Sequence, residues 1–179
     1  MALGTVVGVI SDTSDDVRDA LSSMYGAVAA LVRADRVGMD LLLRDLVDSS
    51  PDITETLATM AFATLDRLDA ALSAGHVMSA RETRSLAQQL ITDAHHYALV
   101  DALPVQAAAR RLDGVRRHDH AHVATEVMHA RTMASDTELL WGATALLAAT
   151  VSVWAERSGR TMTEAVGDLC LAASVEPVL

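Results

Sequence analysis

Lysine and asparagine are absent from this chain, and cysteine occurs once, at Cys170. One cysteine excludes an internal disulfide framework and a cysteine-based zinc site. Lys and Asn both use A-rich codons, so their absence reads as a base-composition bias, and the 14 basic residues, all Arg, say little about phosphate binding. Aromatic residues make up 3% of the chain and Pro occurs three times. With so few β-forming aromatics, and no run of alternating polar and apolar residues, a sheet core is not expected. Basic charge is also short: the net charge is −10, which disfavours a general nucleic-acid or anionic-membrane surface.

What remains is a 179-residue chain that is 51% hydrophobic and rich in Ala, Leu and Val. That length suits one domain and is enough to bury a core without staples. Small aliphatic side chains favour close helix–helix packing. The run from Leu139 to Ala155 (LLWGATALLAATVSVWA) carries no charge and is bounded by Glu138 and Glu156. As a helix it would be about 26 Å long. It is apolar nearly all round, whereas the other periodic segments have a single apolar face to bury. It is therefore the expected centre. A membrane span is the rival reading, with Trp141 and Trp154 near its ends. Its many Ala, Thr and Ser, its acidic flanks and the absence of an orienting basic loop argue for a buried core helix instead.

Helix starts carry capping chemistry. Ser79–Glu82, Ser135–Glu138 and Thr161–Glu164 fit the capping box, and Asp52–Glu55, after Pro51, is a variant. Gly75 and Gly159 stand where the matching helices should stop. The periodicity predicts helices over about 14–34, near 40, about 52–74, 80–99, 117–134, the central run and about 162–174, with Pro104 marking either a break or the first turn of a short helix that Gly114 ends. The expected fold is all-α: a single domain of about seven helices, residues 14–174, packed around the apolar helix 139–155. Residues 1–13 form an N-terminal arm and 175–179 a tail. Met1–Ile10 has no positive n-region or cleavage site, so a cytoplasmic protein is expected.

Six of the seven histidines lie between His95 and His129. His118 and His122 stand four residues apart, a spacing that can chelate one divalent ion. Glu126-Val-Met-His129 is a Glu-x-x-His, the unit of di-metal carboxylate bundles. A helical wheel centred on Ala124 turns His118, His122, Glu126 and His129 outward, which makes a solvated stripe titrating near neutrality the competing reading. No other cofactor is implied. The segment Gln106–Arg117 (QAAARRLDGVRR) resembles the first helix and turn of a helix-turn-helix. That resemblance implies a DNA-binding regulator over 104–131, with Arg110, Arg111, Arg116 and Arg117 placed for phosphates. Asp113 departs from the pattern by lengthening the turn.

No catalytic residue is expected. The chain holds no Gly-rich phosphate loop, nucleophile elbow or metalloprotease helix. Glu55, Glu82, Glu138 and Glu164 each sit at a helix third position, where capping accounts for them. The remaining expectation is a non-enzymatic soluble helical protein that acts through helix faces, on itself or on a protein partner. Val17, Leu21, Met24, Val28 and Leu31 form a short heptad-like seam that suggests a homodimer.

Overall fold

The computed structural model describes residues 19, 22–49, 56–57, 85, 88–94, 102–116 and 119–174. The domain is all-α, and no strand occurs among the described residues. The helices are α1 (Ser22–Val32), α2 (Arg36–Ser49), α3 (88–94), α4 (Ala102–Arg116), α5 (His120–Arg131), α6 (Asp136–Ser158) and α7 (Met162–Ser174).

Helix α6 is the centre. The Ser135 hydroxyl accepts from the Glu138 amide (3.3 Å), and the Glu138 carboxylate accepts from the Ser135 amide (2.7 Å), so the capping box closes in both directions. At the other end Gly159 takes the left-handed conformation, φ 67°, and the Gly159 and Arg160 amides donate back into the last turn. Every residue from Leu139 to Val151 is buried. Each leucine so buried contributes about 1.5–3 kcal/mol relative to exposure. The helix also carries polar residues into the core. Thr144 and Thr150 do not need outside partners, because their hydroxyls donate to the Leu140 and Leu146 carbonyls at 2.8 and 2.9 Å.

Two apolar clusters share this rod. One gathers Met39, Leu43 and Leu46 of α2, Val105, Ala107 and Ala108 of α4, and Val127 and Ala130 of α5 around Leu139, Leu140, Ala143 and Leu146. Leu57 and, from α3, Leu90 and Ala94 join it. The other packs Tyr25 and Val28 of α1 and Ala165, Val166 and Leu169 of α7 on Leu147, Ala148 and Val151. Helix α4 comes close to α6 at Gly142, where a Cβ would lie 2.4 Å from the Pro104 carbonyl carbon. Only glycine lets that helix start come so near. Among the described residues one helix, α6, is long and apolar enough to cross a membrane, yet 78% of its apolar window is buried within the protein.

Several boundaries differ from expectation. Helix α4 runs through Leu112–Gly114 to Arg116, so no turn forms at Gly114. A single glycine in a helix interior costs only about 1 kcal/mol and is overridden by packing. The next helix begins at His120 rather than near Arg117, because Asp119 caps it: Oδ1 accepts from the His122 amide at 2.9 Å. The Thr161–Glu164 box forms as expected. The Ser79 and Asp52 boxes and the Gly75 stop lie outside the described residues. So do most of the helices expected over 52–74 and 80–99, and Val17 and Leu21 of the seam.

Candidate functional site

The seam residues that are described do not face outward. Met24 and Val28 are fully buried against the chain's own helices, and Leu31 packs beside them. A homodimer therefore finds no support in that part of the seam.

Helix α5 is turned differently from the wheel centred on Ala124. Val123, Val127 and Ala130 are buried, while Ala121, Ala124 and Met128 are exposed. The buried face is rotated by about 100°. Alanine and methionine are spread around the helix, so hydrophobicity alone could not fix its centre; packing against α4 and α6 does. Glu126 is consequently not on the outer side. Its side chain is only 18% exposed and accepts from Arg110 Nε at 2.9 Å. His122 is half-buried and His129 exposed. Among the described residues no three His, Cys, Asp or Glu side chains gather as a metal site. The side chain of His118 lies outside the described residues.

The basic segment separates as well. Arg110 is partly exposed and tied to Glu126. Arg111 is 1% exposed, so it cannot meet a phosphate backbone on the surface. Its position follows from the helix: Ala107 and Ala108 stand one turn before it and are buried, so the same arc of α4 turns Arg111 inward. Among the described residues neither terminal nitrogen of its guanidinium has a hydrogen-bond partner. Burial pulls its pKa down to about 10; the Glu126 carboxylate opposes that shift and Arg110 adds to it. The group is still a cation at neutral pH. Sequence reasoning places Arg111 among the phosphate candidates and misses its burial, though its spacing from Ala107 and Ala108 was the available signal. Arg117 and the side chain of Arg116 lie outside the described residues.

Two further surfaces are defined. Val37 and Leu41, one turn apart on α2, are 71% and 63% exposed, and the exposed Arg44 and Asp48 continue the same face. Met128, Met133 and Leu171 are exposed elsewhere. Cys170 is half-buried beside the α7 cluster, and that burial pushes its thiol up, away from a reactive thiolate.

These features define a single-domain all-α protein built on one buried rod. Comparison with known proteins finds no matching family model, no matching curated protein and no matching solved structure.

Proposed function

We propose that this is a non-enzymatic cytoplasmic protein that acts through helix-face contacts, with a second copy of itself as the partner. The observation that carries the reading is the exposed pair Val37 and Leu41 on α2. Both are branched aliphatic residues on a face the chain does not cover among the described residues. In a two-fold dimer the same patch serves both sides, so one apolar face provides both halves of the contact. The net charge of −10 favours a protein partner over nucleic acid.

Light scattering behind size exclusion tests it directly. The wild-type protein should run as a dimer at high concentration, and Leu41→Glu combined with Val37→Glu should run as a folded monomer. A wild-type chain that stays monomeric at the highest soluble concentration would dismiss the reading.

A further inference from the structure

The buried guanidinium of Arg111 has no acceptor among the described residues on either terminal nitrogen. A buried charge left unpaired is among the most costly arrangements in a protein interior. The opposite charge that acts on it does not resolve it, because the Glu126 carboxylate is held at 2.9 Å by Arg110 Nε. Glu126 acts on Arg111 through space only, without a hydrogen bond.

The free groups specify their complement. The two terminal nitrogens of a guanidinium form a planar fork that matches two oxygens of one oxyanion. Local charge sets its valence. Arg110, Arg111 and Glu126 together leave one positive charge, which a monoanion neutralises and a dianion would reverse. Size and polarity follow from the surroundings. Ala107 and Ala108 on the same arc of α4 belong to an aliphatic cluster with Val105 of α4 and Val127 and Ala130 of α5, so the inner side of this helix offers small apolar side chains. We infer that Arg111 is the anchor of a buried binding site for a small aliphatic monocarboxylate on the inner arc of α4, near Glu126 of α5. The site is independent of the α2 face and of any dimer built on it.

The test uses thermal unfolding of the full chain with acetate, butyrate, phosphate or chloride at matched ionic strength. Butyrate should raise the wild-type Tm in a saturable way by about 2–4 °C at concentrations well above its Kd, with acetate weaker and phosphate no better than chloride. Arg111→Met should lose the response, and Arg111→Lys, which keeps the charge but not the fork, should weaken it at least tenfold in Kd. The exposed-charge variant Arg44→Gln should respond like wild type. Carboxyl-13C butyrate read by NMR on the wild-type protein adds a check that does not depend on any variant folding: its signal should broaden on addition of protein. No broadening, a Tm response equal to that of chloride, a preference for phosphate, or a response surviving in Arg111→Met would each overturn the inference.

Discussion

The indole Nε1 of Trp141 donates to Asp40 Oδ1 at 2.8 Å, joining the central helix α6 to α2 across 101 positions of sequence. Arg36 lies over the same indole, 5.7 Å from the ring centre. One ring thus fixes the orientation of α2 with a charge-assisted hydrogen bond and a cation–π contact. It also explains why a tryptophan stands near the end of an apolar rod without a membrane: its polar edge meets a carboxylate of its own chain.

Trp141→Phe keeps the ring and removes the donor. It should cost about 1–3 kcal/mol, because the half-buried Asp40 carboxylate loses its partner. Asp40→Ala should cost a similar amount, and the double variant should cost clearly less than the sum, with a coupling of at least about 0.5 kcal/mol. Urea unfolding of the four proteins measures this; strict additivity would mean the bond contributes nothing.

Gly142→Ala probes the approach of α4 to α6. The added methyl would fall 2.4 Å from the Pro104 carbonyl carbon and 2.5 Å from its oxygen, which are backbone atoms and cannot rotate away. Overpacking of this kind costs about 1–3 kcal/mol or more. A helix-propensity gain of about 1 kcal/mol works in the opposite direction and is smaller than the clash at the upper end. Net destabilisation in denaturant is the expected result, and a stabilised variant would show that the two helices separate freely.

Gly159→Ala should destabilise by about 1 kcal/mol for a different reason. Its φ of 67° is a left-handed conformation that strains any residue with a Cβ, although no atom lies in the way. The variant should shift the denaturation midpoint without changing the slope. An unchanged midpoint would mean that α6 ends equally well without the left-handed residue.

The two capping boxes predict an acid-side dependence. Hydrogen bonds from the Ser135 hydroxyl and amide hold the Glu138 carboxyl below its ordinary value of 4.5, and the Thr161 amide and hydroxyl do the same for Glu164. A carboxylate depressed in the folded state contributes stability that is present above its unfolded pKa and lost as pH falls through the folded one. Stability should therefore decline below about pH 4.5 and more gently in the Glu138→Gln/Glu164→Gln double variant. At neutral pH, Ser135→Ala should cost about 1 kcal/mol. Midpoints at neutral pH and at about pH 3 decide it: parallel pH profiles for wild type and double variant would remove the boxes from the acid response.

The histidine and arginine readings show where sequence reasoning stopped. His122, Glu126 and His129 share a helix as expected, but which side of α5 meets the core depended on α4 and α6, and Glu126 was drawn to Arg110 instead of a metal partner. Gly114 looked like a turn, yet α4 continues past it once its inner arc has packed. Asp119, an acidic residue in a segment otherwise basic, is the cap of the following helix.

Local chemistry settled the elements that need nothing from a distance. An uncharged run from Leu139 to Ala155, a Ser–Glu box before it and a glycine after it make a central helix whatever its neighbours are. Tertiary contact decided the rest: that Met24 and Val28 close inward, that Val37 and Leu41 are left outward, and that Arg111 is enclosed without an acceptor on its terminal nitrogens among the described residues. Helical periodicity places residues on a common face, but it does not say which face the other helices will cover. That choice belongs to the packing of the whole chain, and in this protein it determines every candidate surface.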